Sequence, residues 1–115
     1  MIDLRNYKEQ IRAEVQKVNE LDQNWKWSVR SVSKTLARIH WSYLDGEKNE
    51  CFYLRIEKDR DGPGHWLWAR MPDGVMIEGW LVFEGEPPSP RIGFDIAKGI
   101  CWAVESIAFT ARNEY

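Results

Sequence analysis

The clearest alternation of apolar and polar positions lies between His65 and Glu84. Residues 71–75, Met-Pro-Asp-Gly-Val, divide this stretch, because Pro sets the first corner of a tight turn and Gly accepts the left-handed conformation that closes it. The stretch therefore predicts a β-hairpin in which Met71 faces Val75. Side chains alternate between the two faces of a strand. One face of the hairpin is then aliphatic and holds Leu67, Ala69, Met71, Val75, Ile77, Leu81 and Phe83. The other face is aromatic and charged and holds Trp66, Trp68, Arg70, Met76, Glu78, Trp80 and Val82.

Three further strands are predicted ahead of the hairpin, over residues 25–30, 35–44 and 51–58, where apolar and polar residues again alternate. Turn-forming residues at 45–49 and 59–64 predict the loops on either side of the third strand. These short strands join in chain order, which favours an antiparallel meander.

The register of the third strand follows from burial. We place Tyr43 opposite Phe52, so that the apolar side of the strand continues the aliphatic face of the hairpin. A shift by one residue would bury Arg55, which disfavours the alternative. The chosen register puts Arg55 opposite Trp68, where a guanidinium beside an indole is worth roughly 0.5–2 kcal/mol.

A helix is predicted at each end of the chain. Over residues 3–23 apolar side chains recur every three or four positions, and Asp3 is a suitable N-cap. A second helix is predicted over about 95–112, with Asp95 as N-cap and the proline-rich stretch at Ser89-Pro90 as an alternative start. Its apolar face is rich in alanine, which favours close packing on a sheet.

These elements predict one domain of the α+β class over residues 1–115: an N-terminal helix, a four- to five-stranded antiparallel β-meander and a C-terminal helix, with both helices on one sheet face. The other face of such a sheet meets water or a partner. We expect it to hold a predicted contact set that combines aromatic with charged side chains, namely Arg38, His40, Tyr53, Arg55, Trp66, Trp68, Arg70, Glu78 and Trp80.

Composition and charge narrow the classes of function. The formal net charge of -2 and pI of about 5.7 disfavour duplex DNA as a partner, because such binding needs a concentrated basic face. No stretch approaches the roughly 20 apolar residues of a membrane span, and no signal peptide is evident, so we expect a cytoplasmic protein that contacts no membrane. Cys51 and Cys101 are then expected to be free thiols.

The sequence predicts no catalytic chemistry. His40, His65 and the two cysteines are scattered, without the close spacing that metal ligands show. No glycine-rich loop precedes a helix, and no nucleophile lies in a recognised motif. We therefore expect no metal, no cofactor and no enzyme activity, although a small enzyme without a recognisable motif is an alternative.

The predicted contact set favours a binding protein that acts by stoichiometric contact with a protein partner, since Trp, Tyr and Arg dominate interface hot spots. Its small size suits an inhibitor, such as a phage anti-defence protein or a toxin-neutralising immunity protein. One alternative is binding of single-stranded nucleic acid or a nucleotide, with bases stacked on the aromatic sheet face. Another is a homodimer that covers this face.

Overall fold

The computed structural model describes residues 1–43, 46, 49–89 and 91–114, and in it a six-stranded sheet carries one helix at each end of the chain. The strands are β1 (Trp25–Val32), β2 (Leu36–Tyr43), β3 (Asn49–Lys58), β4 (His65–Arg70), β5 (Met76–Phe83) and β6 (Phe94–Asp95). The helices are α1 (Lys8–Leu21), which follows a 3₁₀ turn at Leu4–Tyr7, and α2 (Ile96–Glu114). The predicted α+β class is confirmed. Most of the predicted loop at 45–49 lies outside the described residues.

Strands β1 to β5 form the predicted antiparallel meander, because each pairs with the next strand in the chain. The strand β6 was not predicted: it is two residues long and runs parallel to the end of β5, with Val82 opposite Phe94. The β2–β3 register also differs from the prediction, since Phe52 pairs with Ile39 and not with Tyr43. The difference of four residues is even, so every side chain keeps its predicted face.

Both helices pack on the same face of the sheet. The helix α1 contacts β1 and α2, while α2 contacts β4 and β5. Gly99 brings α2 close to the sheet, because a Cβ at this position would lie 2.6 Å from Cγ1 of Val82. Asp95 caps α2 as predicted, since its carboxylate accepts a hydrogen bond of 3.0 Å from the backbone N–H of Ala97.

Aromatic side chains fill the core at the β1 end of the sheet. Trp25 stacks on Tyr43 at a centroid distance of 3.8 Å and meets Trp41 edge-on at 4.1 Å. The helix α1 ends beside this aromatic cluster, with Asp22 as its C-cap. The carboxylate of Asp22 accepts a hydrogen bond of 3.1 Å from Nε1 of Trp27 and forms an ion pair of 3.7 Å with Arg112 of α2. The carboxylate therefore joins the ends of both helices to the first strand.

The predicted hairpin turn is confirmed, but the strand after it contains a β-bulge. The N–H of Met71 donates to the carbonyl of Val75 at 2.8 Å, and Gly74 takes the expected left-handed conformation with φ +90. Arg70 pairs with Met76, whereas Ala69 pairs with Glu78, so Ile77 is the extra residue. One inserted residue reverses the alternation of side chains in the rest of β5.

The bulge corrects two members of the predicted contact set. Trp80 lies opposite Leu67 on the helix-covered face and is only 8% exposed, so it belongs to the core. Glu78 faces the same side, where its carboxylate accepts a hydrogen bond of 3.1 Å from Oγ of Ser106 in α2. Conversely, Leu81 and Phe83 lie on the uncovered face, although the sequence pattern placed them in the aliphatic core.

Candidate functional site

The sheet face opposite the helices, which we call the open face, holds seven of the nine residues of the predicted contact set. Cross-strand pairing brings them together in rows. Arg38 of β2 lies opposite Tyr53 of β3, which lies opposite Arg70 of β4. The seven residues are Arg38, His40, Tyr53, Arg55, Trp66, Trp68 and Arg70. Both helices pack on the other face of the sheet, and the loop after β3 reaches the open face through Asp59, which contacts Trp66.

Two tryptophans of β4 form the centre of the open face. The indoles of Trp66 and Trp68 lie nearly parallel, with centroids 5.2 Å apart and an interplanar angle of 15°. Nε1 of Trp66 donates to Asp59 at 3.4 Å, at the long end of hydrogen-bond distances. Nε1 of Trp68 is buried and has no hydrogen-bond partner among the described residues. Both indoles are half-buried, so they expose aromatic surface while contacts with their neighbours hold the rings in place.

Gly79 explains how Trp68 is held. It lies opposite Trp68 in the β4–β5 pair, and a Cβ on Gly79 would fall 2.3 Å from Cε3 of the indole. The ring therefore occupies the space that any larger residue would fill. A glycine inside a strand often marks a bulge or a close approach of another group. Gly79 marks the close approach of Trp68 and lies two residues after the bulge at Ile77, so it was the signal in the sequence that could have indicated the bulge.

The predicted pairing of Arg55 with Trp68 is confirmed. Nε of Arg55 also forms an ion pair of 3.0 Å with Glu57, and both side chains are about half exposed. Such surface ion pairs contribute about 0–1 kcal/mol to stability. The guanidinium of Arg55 can therefore exchange Glu57 for a carboxylate of a partner at little cost in free energy. Arg70 is held more firmly, because its guanidinium donates to the carbonyl of Gly74 in the hairpin turn at 3.0 Å.

The open face is cationic although the whole chain is acidic. Its strand positions carry the basic side chains of Lys26, Arg38, Arg55 and Arg70 and the carboxylate of Glu57, and the adjacent loop adds the carboxylate of Asp59 beside Trp66. The net charge of -2 is an average over the chain, and it conceals this separation of charge. An acidic surface would therefore be attracted to the open face.

The structure also brings together His40 and Cys51, which lie opposite each other on the open face. A thiol and an imidazole act as a nucleophile–base pair when a hydrogen bond joins them. No hydrogen bond joins these two described side chains. Among the described residues, no three His, Cys, Asp or Glu side chains lie close enough to hold a metal ion.

The two remaining residues of the predicted contact set contribute to a different feature. Glu78 and Trp80 line a groove of about 450 Å³ between β5 and α2, together with Trp102 and Phe109 of the helix. Phe109 is 67% exposed, and Trp102 packs edge-on against Phe94 at 4.8 Å. These two aromatic residues of α2 therefore lie beside β5 and β6.

Comparisons with known proteins add no relative: no family model, no curated protein and no solved structure matches this chain. Within the described part of the chain, neither helix has the length and apolar character needed to cross a bilayer.

Proposed function

We propose that this protein is a non-catalytic binding protein that acts by stoichiometric contact with a protein partner through the open face of its sheet. The observation that carries the proposal is the half-buried Trp66–Trp68 pair, set among arginines on an uncovered sheet. Tryptophan, tyrosine and arginine are the residues that most often dominate binding energy at interfaces, and they do so near the centre of the patch.

The charge of the open face specifies the partner further. Arg38 and Arg55 are exposed, and Arg55 has only a weak ion pair to exchange. A partner with carboxylates around an apolar centre would pair with both arginines while it covers the indoles. Inhibitors act by such blocking contacts, and a phage anti-defence inhibitor and a toxin-neutralising immunity protein are the two examples of this class that we propose.

Binding of single-stranded nucleic acid is a second candidate, favoured by the four basic side chains on the open face. Phosphates would meet the arginines and bases would stack on the indoles. The Trp66–Trp68 pair supports the protein partner more strongly, because each indole already turns one ring face to its neighbour. Trp68 also covers Gly79, which leaves little of its ring for a base.

The test compares two charge-reversal variants. Arg38→Glu/Arg55→Glu changes the open face, and Arg12→Glu/Lys17→Glu makes the same change in charge on the exposed side of α1. Each tagged protein is used to capture partners from lysate with and without nuclease treatment, and the protein captured after treatment is then purified. Calorimetry gives the stoichiometry and affinity. We expect one-to-one binding that weakens at least about tenfold in the open-face variant alone.

Equal affinity of both variants would contradict the proposal. Capture that disappears after nuclease treatment would favour nucleic acid as the partner of the open face. The affinity of the protein for that nucleic acid should then fall steeply with added salt. Circular dichroism of both variants checks that a loss of binding is not a loss of fold.

A further inference from the structure

The outer edge of β5 is largely unpaired. The strand β6 pairs with it only at Val82 and Phe83. From Met76 to Leu81 no described residue pairs with this edge, so part of the backbone N–H and C=O groups face outward. Such an edge is a template for another strand unless the protein protects it.

A trough runs beside this edge, between β5 and α2. It consists of three depressions that share lining residues: the first two lie between β5 and α2, and the third continues beyond β5, between residues 86–88, β6 and α2. Ile77 and Thr110 line the first and the second, and Trp102 lines the second and the third. Its walls expose apolar side chains, since Met76 is 51% exposed and Phe109 is 67% exposed. The free edge spans about six residues, or roughly 20 Å of strand, which is the length of an ordinary β-strand.

The trough is acidic. Of the described residues that line it, five carry carboxylates and one, Lys98, is basic. The acidic residues are Asp73, Glu78, Glu86, Asp95 and Glu105. Glu78 and Glu105 lie in the middle depression, beside the indoles of Trp80 and Trp102. The protein thus has two surfaces of opposite charge. The trough, at the β5 edge of the sheet, is lined by apolar and acidic side chains, and the open face, opposite the helices, is basic.

We propose that the trough binds an extended segment of a partner protein that alternates apolar with lysine or arginine residues and adds to the free edge of β5 as a further strand. Backbone hydrogen bonds to the edge would supply affinity, and alternate side chains would supply specificity. The side chains directed toward α2 would enter between Trp80, Trp102 and Phe109, where Glu78 and Glu105 attract a basic group. This surface is separate from the open face, so the proposal does not depend on the function proposed above.

Charge argues for a partner segment over a second copy of the chain. A two-fold pairing of β5 with itself would bring the acidic middle depressions of both copies together, and like charges disfavour that contact. The bulge at Ile77 and the inward-facing carboxylate of Glu78 are also devices that protect an edge from indiscriminate pairing. A basic segment removes the repulsion that excludes a copy.

The experiment uses the full chain and dye-labelled synthetic peptides with blocked ends, and anisotropy gives the affinity. The first peptide alternates valine with lysine around one central tryptophan. The second replaces every lysine by glutamate, and the third keeps the first sequence but has N-methyl groups on alternate backbone nitrogens. We expect the first peptide to bind at least about tenfold more tightly than either of the others.

Matched variants locate the site. Glu78→Lys and Phe109→Ala change the trough, while Glu9→Lys and Leu21→Ala make the same kinds of change at exposed positions of α1. Only the trough variants should weaken binding of the first peptide, each by about tenfold. Arg38→Glu/Arg55→Glu should leave this binding intact, which separates the trough from the open face.

Three results of the peptide measurements would overturn the proposal: no binding of the lysine peptide, equal binding of the N-methylated peptide, or equal losses in the trough variants and their α1 controls. Sedimentation of the free protein is measured alongside. A dimer that Glu78→Lys dissociates would also overturn it, because the occupant of the edge would then be a second copy.

Discussion

Trp68 lies so close over Gly79 that a methyl group on the glycine would fall 2.3 Å from Cε3 of the indole. This contact joins the two surfaces of the protein. On the open face it holds the indole that stacks on Trp66, and within β5 it marks the segment where the bulge has just reversed the alternation. Gly79 therefore makes room for Trp68 of the predicted contact set. It also lies in the part of β5 where the bulge changes the faces of Glu78 and Trp80 from those predicted.

Gly79→Ala tests this contact. The added methyl group must displace the indole, and we expect the free energy of unfolding to fall by about 1–3 kcal/mol, as overpacking does elsewhere. We also expect the stacked Trp66–Trp68 pair to give an exciton contribution in circular dichroism, and this contribution should weaken in the variant. Urea denaturation and far-ultraviolet spectra measure both effects. Ser28→Ala, at an exposed position of the open face, is the control and should leave stability and spectrum unchanged.

A double-mutant cycle sharpens the test. In a Trp68→Ala background the indole is absent, so Gly79→Ala should cost clearly less than it does in the wild type. Equal costs in the two backgrounds would show that the methyl group meets something other than Trp68.

Trp80→Ala and Trp66→Ala test the reassignment of faces that the bulge imposes. Trp80 is buried against Leu67 and α2, so its removal should lower the free energy of unfolding by about 3–5 kcal/mol. Trp66 is half-buried on the open face, and we expect its removal to cost less than about 2 kcal/mol. Chemical denaturation of both variants measures the two losses. A larger loss of unfolding free energy for Trp66→Ala than for Trp80→Ala would contradict the assignment of Trp80 to the core and of Trp66 to the open face.

His65 makes stability depend on pH. It is buried, and its Nε2 accepts a hydrogen bond of 3.2 Å from the backbone N–H of Ile2, which the protonated ring cannot do. Burial, followed by the nearby Lys58, lowers the pKa of His65 below its ordinary 6.5. The unfolded chain therefore takes up a proton first as the pH falls.

The sign follows from this order of protonation. The contribution of His65 to stability is complete above about pH 6.5 and is lost as the pH falls from there toward the folded-state pKa, by at most about 1.4 kcal/mol per pH unit. His65→Gln keeps an acceptor for Ile2 but does not titrate. Urea denaturation at about pH 7.5 and about pH 5 should show a smaller decrease for this variant than for the wild type. Identical decreases would contradict the prediction.

Cys101 should be an unreactive thiol. Burial, then repulsion by Glu14, then a hydrogen bond to Glu105 raise the pKa of Cys101 from 9.0 to about 11. The thiolate is the reactive form, so at neutral pH we expect alkylation by iodoacetamide to be about 100-fold slower than that of an ordinary cysteine. The rate is measured against pH in a Cys51→Ala variant.

Two controls accompany that measurement. In urea, where the surroundings of Cys101 are lost, the rate should return to that of a free thiol. Glu14→Gln removes one source of repulsion and should increase the rate in the folded protein. A midpoint near the ordinary pKa in the folded protein would show that Cys101 is more open to solvent than the structure has it.

Local patterns in the sequence were enough to predict most of the fold. The spacing of apolar residues located both helices, Asp95 marked the start of the second one, and Met71 to Val75 specified the hairpin turn. Turn preferences and side-chain periodicity depend on residues that are only a few positions apart, so they can be predicted directly from the sequence. The need to keep Arg55 out of the core selected the correct face for each side chain of β2 and β3, although the predicted β2–β3 register was four residues off. The pairing of Arg55 with Trp68 and seven residues of the open face were thus predicted correctly.

Only the tertiary structure decided what happens after Ile77. A bulge inserts one residue, and a period of two has no tolerance for such an insertion, so Trp80 moved to the core while Leu81 and Phe83 moved to the open face. Gly79 was the visible signal, but it acquires its meaning from Trp68 across the strand. The free edge of β5 and the trough beside α2 arise in the same way, because they join segments that are distant in the chain and that no local pattern relates.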